Sequence, residues 1–246
     1  MDAYTGFAQV YDLFMDNVPY QEWGEYLDNI FKKNGLDKGT VLDLGCGTGK
    51  LTRIMQAKGY DMIGVDNAMD MLEIAMSEEA EGILYLLQDM RELELYGKVD
   101  GVYSACDCLN YILEEEDLLQ VFNKVREYLD KDGVFVFDIN TEYKYTELMA
   151  DNTFAENRED SSFIWENYYD SHEQINEYDL TLFVRQSNDT FLRFQELHYQ
   201  RCYSTDLIIQ LLEKAGFEVN SVFDGYTENT VSDESEKITI VAKVKG

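Results

Sequence analysis

The fold is decided by the stretch Val41-Leu42-Asp43-Leu44-Gly45-Cys46-Gly47-Thr48-Gly49, in which a mostly apolar strand runs into three closely spaced glycines. Glycine permits a tight turn and lets the backbone approach a ligand closely. A helix that begins after such a turn offers unpaired amide donors to that ligand. The spacing is G-x-G-x-G, whereas a dinucleotide fold would have G-x-G-x-x-G, and Lys50 stands in the final place. The stretch therefore predicts a ligand-binding turn that differs from the dinucleotide type.

The chain on both sides of this turn alternates short apolar strands with amphipathic helical segments, which is typical of a parallel sheet covered by helices. Strands are predicted at residues 40–44, 62–65, 83–87, 99–104 and 133–138, and helices at residues 49–58, 69–79 and 115–129. Residues 131–133 are predicted to form a turn before the fifth strand. Residues 1–35 are predicted to be a helical preface, in which Pro19 separates residues 7–15 from a helix at residues 20–34.

Residues 151–203 differ in character from the rest of the chain. They hold eleven aromatic residues and alternate apolar with polar side chains, as antiparallel strands do. We expect a small antiparallel sheet here, inserted after the fifth strand as a substrate or cap subdomain. The main domain, residues 1–150 and 204–246, is then completed by a helix after Ser204 and by two strands at residues 217–223 and 237–244, which predicts an α/β fold with a seven-stranded sheet.

The charge balance bears on the class of partner. The chain has 49 acidic and 20 basic side chains and a net charge of -29, which opposes phosphate-rich partners, and its densest basic cluster is Lys32-Lys33. Nucleic acid is therefore a disfavoured partner. The apolar runs are far shorter than the roughly 18 residues of a membrane-spanning helix, and the N-terminus lacks a signal-peptide pattern, so we expect a cytoplasmic protein that spans no membrane.

Four cysteines are too few for a disulfide scaffold, and none belongs to a C-x-x-C pair. Cys106 and Cys108 form a C-x-C, but a structural zinc site needs about four ligands. The two histidines, His172 and His198, lie far away in sequence. No metal site is predicted.

Two carboxylates follow the second and third strands. Asp66 could accept hydrogen bonds from both hydroxyls of a ribose, and each such charged bond contributes about 1.5 to 3 kcal/mol. It could equally cap the next helix, and a nicotinamide enzyme would also use an acid there. Asp89 could accept from an exocyclic amine of the kind that adenine presents, or it could belong to an ordinary loop. Together with the glycine turn, the two acids favour a ligand that contains adenosine.

With these features the sequence resembles the class I S-adenosylmethionine-dependent methyltransferases over nearly the entire chain. The N-terminal pattern Tyr4-x-x-Phe7-Ala8-x-Val10-Tyr11-Asp12 and the segments at residues 106–111 and 193–201 resemble, more narrowly, a bacterial group of the YqeM type. The resemblance implies S-adenosylmethionine as the cofactor, a Rossmann-like class I methyltransferase sheet with an inserted antiparallel sheet, and a methyltransferase activity (EC 2.1.1.-). The group implies no particular substrate.

The resemblance also implies which residues hold the cofactor. The glycine loop would hold the methionine part, Asp66 the ribose and Asp89 the adenine. Met71 and Met90 would pack on the adenine faces, unless they are ordinary core residues, and Tyr11 and the loop at residues 107–111 would close over the cofactor. The full set of implied cofactor-binding residues is Tyr11, Asp43, Gly45, Cys46, Gly47, Gly49, Asp66, Asn67, Met71, Asp89, Met90 and Asp107.

Three residues are candidates on the acceptor side. His198 could act as a general base, because it lies beside Glu196 and Tyr199 in the aromatic insertion, or it could be an ordinary structural histidine. Tyr111 and Asn110 could position the acceptor by hydrogen bonds or could only shape their loop.

The predicted function is methyl transfer to a small or medium-sized acceptor through a nitrogen or oxygen nucleophile. An acidic pocket walled by aromatics would suit an amine or a neutral molecule, unless the insertion's aromatics are only its core. Two alternatives stay open: an assembly protein that keeps the cofactor site without small-molecule turnover, and an NAD-dependent oxidoreductase. The sequence leaves the oligomeric state open.

Overall fold

The computed structural model describes residues 11–12, 14–78, 80, 82–187 and 190–245. Most of the predicted helix at residues 7–15, and the motif residues from Tyr4 to Val10, lie outside this range. The helices are α1 (Tyr20–Lys33), α2 (Lys50–Ala57), α3 (Met69–Ser77), α4 (Glu115–Tyr128) and α5 (Thr205–Lys214). The strands are β1 (Thr40–Leu44), β2 (Asp61–Asp66), β3 (Leu84–Leu87), β4 (Val99–Ser104), β5 (Leu129–Asn140), β6 (Thr153–Asn157), β7 (Ser161–Asp170), β8 (Ile175–Arg185), β9 (Phe191–Arg201), β10 (Phe217–Asp224) and β11 (Lys237–Val244).

Seven strands form the main sheet in the order β10-β11-β5-β4-β1-β2-β3. The five strands from β5 to β3 run parallel, and β11 pairs antiparallel with both β5 and β10. From β1 the strands β2 and β3 follow toward one edge of the sheet, whereas β4 and β5 lie on the other side of β1. The order of successive strands therefore reverses between β1 and β4. In open α/β sheets a ligand crevice forms at the carboxyl ends of the strands at this point. The predicted fold class is therefore confirmed, and the topology places the glycine turn at the crevice.

Apolar side chains are buried on both faces of this sheet, as expected where helices cover both sides. On one face Phe122 of α4 contacts Phe135 and Phe137 of β5, with ring centroids 6.1 and 5.6 Å apart, respectively. On the other face Phe31 of α1 lies near Tyr60 and Tyr103. These two layers hold the strand ends that carry the site in fixed positions.

The fifth strand differs from the prediction. It begins at Leu129, directly after α4, instead of at residue 133. Its pairing with β4 shifts between Val99, opposite Leu129, and Gly101, opposite Val134, so the predicted turn at residues 131–133 is an irregularity within the strand. The strand is longer because β4 pairs with it on both sides of residues 131–133, at Leu129 and at Val134. Local turn propensity does not reveal this pairing.

The insertion forms a second sheet with the antiparallel order β6-β7-β8-β9, which confirms the predicted architecture of this segment. The exact subdomain boundaries at residues 151 and 203 stay a prediction. Along β9 the alternate side chains of Glu196, His198 and Gln200 are buried, and so is Cys202 directly after the strand. Gln200 contacts the main domain, because its Oε1 accepts a hydrogen bond from the hydroxyl of Tyr145 at 2.9 Å. The buried face of the second sheet is therefore polar along β9 and apolar along β8, where Leu180 and Leu182 are buried.

Among the residues that the structure describes, no helix is both long and apolar enough to cross a membrane.

Candidate active site

A cavity of about 750 Å³ lies at the carboxyl ends of β1, β2, β3 and β4. Its wall includes most of the residues that the sequence implied, namely Tyr11, Asp43, Gly45, Cys46, Gly47, Asp66, Asn67, Met71, Asp89, Met90 and Tyr111. Gly49, Asp107, Asn110 and His198 do not line it. The volume falls within the range of about 300 to 1,000 Å³ that is usual for small-molecule sites.

The glycine loop turns sharply between β1 and α2. Gly45, Gly47 and Gly49 have φ angles of 85°, 53° and 71°, in the left-handed region that favours glycine. A Cβ atom at Gly47 would meet no atom within 4 Å, whereas one at Gly49 would lie 2.3 Å from the hydroxyl oxygen of Tyr85. Gly47 therefore leaves space at the cavity, and Gly49 allows the loop to pack against β3.

Asp66 joins the two sides of the crevice. Its Oδ2 accepts a hydrogen bond from the backbone amide of Gly47 at 2.8 Å, and its Oδ1 accepts from the amide of Ala68 at 2.9 Å. The second bond closes a turn that leads into α3, whose start has no side-chain cap, so Asp66 holds this turn in place of the helix cap that competed with ribose binding in the sequence. The two roles are compatible, because an ionised carboxylate can accept about four hydrogen bonds.

Asp43 is buried beneath the glycine loop, with an exposed fraction of 2%. Its Oδ2 accepts hydrogen bonds from the hydroxyls of Thr52 at 2.6 Å and Tyr103 at 2.8 Å. Burial raises the pKa of Asp43 to about 7, because the two hydroxyl donors compensate only part of the lost hydration. This acid therefore titrates near neutral pH.

Asp89 is engaged by Arg91, a residue that the sequence analysis missed. The guanidinium of Arg91 donates from Nε and Nη2 to the two carboxylate oxygens at 2.9 and 2.6 Å, and its Nη1 donates to Asp117 at 3.0 Å. The hydrogen bonds from Arg91 hold the pKa of Asp89 below its ordinary value. Asp89 is therefore ionised and held in a fixed orientation at the cavity wall. An arginine two residues after an acid in a turn carries no distinctive sequence signal.

The loop after β4 connects the main domain to the insertion. Asn110 is fully buried, its Nδ2 donates to the carbonyl of Arg201 at 2.8 Å, and its Oδ1 accepts from the amide of Asn140 at 3.0 Å. These contacts support the interpretation that Asn110 shapes the loop. Asp107 lies behind the cavity wall, where Gln200 donates to it at 2.7 Å.

His198 lies behind Tyr111. It is 4% exposed, and its Nε2 lies 3.1 Å from Oε2 of Glu196, which is also buried. Its ring meets the ring of Tyr111 edge to face, with centroids 6.0 Å apart. Because Tyr111 lines the cavity and His198 does not, the histidine contacts the site through the tyrosine.

The N-terminal segment forms part of the same wall. The hydroxyl of Thr48 donates to Asp12 at 2.8 Å, which ties this segment to the glycine loop. Tyr20 lines the cavity, and the ammonium of Lys50 lies 4.9 Å from the centroid of its ring. The sequence analysis assigned neither Tyr20 nor Lys50 a role at the site, although Lys50 follows the glycines directly and Tyr20 begins the helix predicted after Pro19.

Comparison with known proteins identifies this arrangement. A methyltransferase domain family matches residues 41–133. YqeM of Bacillus subtilis (strain 168), which is named as a methyltransferase, is 33% identical and covers 98% of this chain and 96% of its own. A relative in Geobacillus sp. (strain WCH70), also named as a methyltransferase, is 36% identical over 98% and 99% of the two chains. A crystal structure of an S-adenosylmethionine-dependent methyltransferase from Clostridium acetobutylicum ATCC 824 superimposes with a TM-score of 0.88 and 29% identity over the whole of both chains.

The fold, the glycine loop and these similarities define an S-adenosylmethionine-dependent methyltransferase of class I. Within that class, the chain belongs to the YqeM-type family. The described residues fit the cofactor, because Gly47 leaves open space beside the cavity and two carboxylates, Asp66 and Asp89, stand on its wall. The cofactor is therefore S-adenosylmethionine and not the nicotinamide dinucleotide of the alternative interpretation.

The two glycines form a matched pair for mutation. We expect Gly47→Ala to lower the free energy of unfolding by about 1 to 2 kcal/mol, which is the cost of a left-handed non-glycine residue. It should weaken S-adenosylhomocysteine binding at least about tenfold, because its methyl group occupies space at the cavity. Gly49→Ala adds a collision with Tyr85 and should be the less stable of the two. Calorimetry and chemical unfolding check this, and wild-type affinity in Gly47→Ala would contradict it.

The raised pKa of Asp43 predicts pH-dependent cofactor binding. Below about pH 7 this acid holds a proton, so we expect only its ionised form, present at higher pH, to attract the ammonium group of the cofactor's methionine part. Affinity for S-adenosylhomocysteine should therefore rise about tenfold between about pH 6 and about pH 8. In Asp43→Asn the amide oxygen can still accept hydrogen bonds from Thr52 and Tyr103, and the ligand titrates as before. The affinity of this variant should therefore change less with pH than that of wild type. Equal slopes for the two proteins would refute the assignment.

Proposed function

We propose that this enzyme methylates a small or medium-sized acceptor through a nitrogen or oxygen nucleophile, at the end of the cavity bounded by Tyr11, Tyr20 and Tyr111. The observation that carries the proposal is the cavity itself. Its volume of about 750 Å³ accommodates a nucleoside cofactor together with a compact acceptor, and its wall joins the glycine loop to the N-terminal segment and to the loop after β4.

Several residues would hold the cofactor. Asp66 would accept from the ribose hydroxyls, and Asn67 lies beside it. Asp89 would accept from the adenine amine, while Met71 and Met90 would pack against the ring. The glycine loop, including Cys46 and Gly49, and Asp43 beneath it would hold the methionine part.

S-adenosylmethionine supplies a methyl group that its sulfonium already activates, so the chain's main task is to orient the acceptor. Orientation of this kind contributes about 7 to 11 kcal/mol when reacting atoms are held in near-attack geometry. Burial raises the pKa of Tyr11 and of Tyr20 above the ordinary value for a phenol. Both hydroxyls therefore stay protonated, and the hydrogen bond between them would shape the end of the cavity that receives the acceptor.

The charges around the cavity support a cationic or neutral acceptor. The acidic residues that line it outnumber the basic ones, Lys50 and Arg91, and the set of acids is Asp43, Asp66, Asp70, Asp89, Glu114 and Asp117. Such a wall disfavours phosphorylated or carboxylate-rich molecules. A sugar N-methyltransferase from Streptoalloteichus shares the fold at 15% identity, with a TM-score of 0.80, so this fold is compatible with a small amine acceptor.

His198 and Asn110 would act on the acceptor only indirectly. We propose that the buried pair of His198 and Glu196 holds the ring of Tyr111 in place. Asn110 would fix the backbone of the same loop, and Asp107 would tie the loop to the insertion. His198 is thus a positioning residue in this scheme and not the general base that the sequence suggested.

The acceptor class can be tested with S-adenosylmethionine that carries a labelled methyl group. The enzyme is incubated with a cell extract separated into small-molecule and macromolecular fractions, and Asp66→Ala, which should bind the cofactor at least about tenfold more weakly, serves as the control. We expect enzyme-dependent label in the small-molecule fraction. Label confined to protein or nucleic acid would overturn the proposal. A stoichiometric protein partner without transfer in either fraction would favour the assembly role instead.

His198→Ala tests the positioning role. The variant should bind S-adenosylhomocysteine as tightly as wild type, because the histidine does not line the cavity, but should transfer methyl groups to the labelled fraction at least about tenfold more slowly. His198→Asn, which keeps a side-chain hydrogen-bond partner for Glu196, should recover part of the rate with an unchanged KM for the cofactor. Equal rates in wild type and His198→Ala would assign the histidine a purely structural role.

A further inference from the structure

A turn at the cavity wall adopts an unfavourable backbone conformation. Cys106 and Asp107 follow one another with φ angles of 61° and 52°. This left-handed region is unfavourable for residues with a side chain, so surrounding contacts must hold the turn in place. Cys106 lines the cavity, and the Sγ of Cys108 donates to the carbonyl of Gly45 at 3.4 Å. The geometry of this turn therefore determines the shape of the cavity beside the glycine loop.

Contacts from distant parts of the chain hold the turn. The amide of Asp107 donates to Oδ2 of Asp138, on β5, at 3.0 Å. The ammonium of Lys237, the first residue of β11, lies 3.2 Å from Oδ1 of Asp107 and also forms an ion pair with Asp138. Gln200, on β9, donates to the other oxygen of Asp107 at 2.7 Å. One ammonium group thus bridges two carboxylates that would otherwise repel each other.

The position of this ammonium group is itself well defined. The side chain of Lys237 is 14% exposed, and that of Asp138 is fully buried. The Nζ atom lies 5.3 Å from the ring centroid of Trp23 and 5.9 Å from that of Tyr226, and these two rings stack with centroids 4.1 Å apart. The hydroxyl of Tyr226 donates to Oδ1 of Asp138 at 2.8 Å.

The charge state of the cluster follows from these contacts. Burial alone would lower the pKa of Lys237, but the two carboxylates outweigh it and raise that pKa. Burial alone would raise the pKa of Asp107, but Lys237, Lys144 and Gln200 outweigh it and hold that pKa below its ordinary value. A buried ion pair of this kind rarely stabilises a fold more than apolar residues of the same volume would. Its function is therefore to be sought in the geometry that it imposes.

We propose that Lys237 is a positioning residue, whose ammonium group holds the Cys106–Asp107 turn against the cofactor cavity and couples that turn, through Asp107 and Gln200, to the inserted sheet. The part of this proposal that concerns methyl transfer rests on the proposed function. The part that concerns the cavity does not, since it can be measured through cofactor binding alone. Lys237 lies 130 residues after Asp107, so no local motif indicates the pairing.

The test compares three lysine variants of the full chain. Lys237→Met removes the charge and should weaken S-adenosylhomocysteine binding at least about tenfold by calorimetry. It should also speed backbone hydrogen exchange in a peptide that covers residues 105–111. Lys237→Arg keeps the charge and should stay within about threefold of wild type. Lys131→Met, at a side chain that is 84% exposed, is the control and should change neither measurement.

Should Lys237→Met fail to unfold cooperatively, Asp107→Asn serves in its place. This variant keeps an oxygen that can accept from Gln200 and leaves Lys237 paired with Asp138, so no buried charge loses its partner. It should still weaken S-adenosylhomocysteine binding, by about threefold to tenfold. The proposal would be overturned if Lys237→Met and Asp107→Asn both kept wild-type affinity and wild-type hydrogen exchange. It would also be overturned if Lys237→Arg lost as much affinity as Lys237→Met. A failure to find an acceptor would leave these binding results unaffected.

Discussion

The site depends on the hydrogen bonds that the carboxylate of Asp66 accepts from two backbone amides. One amide belongs to Gly47 in the glycine loop, and the other belongs to Ala68 at the start of α3. A loop in which three alternate residues are left-handed glycines can adopt many conformations, so it needs a contact from outside the loop to hold a single shape. Asp66 provides that partner and at the same time faces the cavity, so the residue that would bind the ribose also builds the cradle around it.

Two layers of contacts extend this cradle outward. The first consists of buried polar side chains beneath the strand ends, such as Asp43 with Thr52 and Tyr103. The second connects the main sheet to the insertion through Asn110, Gln200 and Tyr145. Because buried polar groups are costly unless they are paired, these networks fix relative positions more strictly than apolar packing alone does. The cofactor side and the proposed acceptor side are therefore parts of one framework.

The sequence was sufficient for the fold and for most of the cofactor wall. Strand-turn-helix chemistry is local, so the sequence pattern placed the glycines and the acids that follow β2 and β3 at strand ends, and the family resemblance implied their place around a cofactor. The alternation of residues 151–203 likewise predicted an antiparallel sheet, because side chains on a strand alternate between faces. The turn at residues 131–133 lies within β5 instead of before it, since Val99 of β4 pairs with Leu129 on the far side of these residues.

What the sequence could not provide were contacts between distant segments. Arg91 binding to Asp89, Lys237 bridging Asp107 and Asp138, and the placement of His198 behind Tyr111 depend on which strand ends meet in space. Spacing identifies residue types that are able to perform chemistry. It does not show whether a side chain faces a cavity or a neighbouring side chain, which is why the sequence left both a general base and a structural histidine open for His198.

The acidic lining of the cavity has a consequence for turnover. S-adenosylmethionine carries one positive charge more than the demethylated product, because the sulfonium becomes a neutral thioether. Because the acids that line the cavity outnumber the two basic residues, this wall would attract the sulfonium form more strongly than the thioether, over distances up to the screening length of about 8 Å at physiological salt. After methyl transfer the bound thioether would lose part of this attraction, while the neutral contacts of the cavity would stay the same.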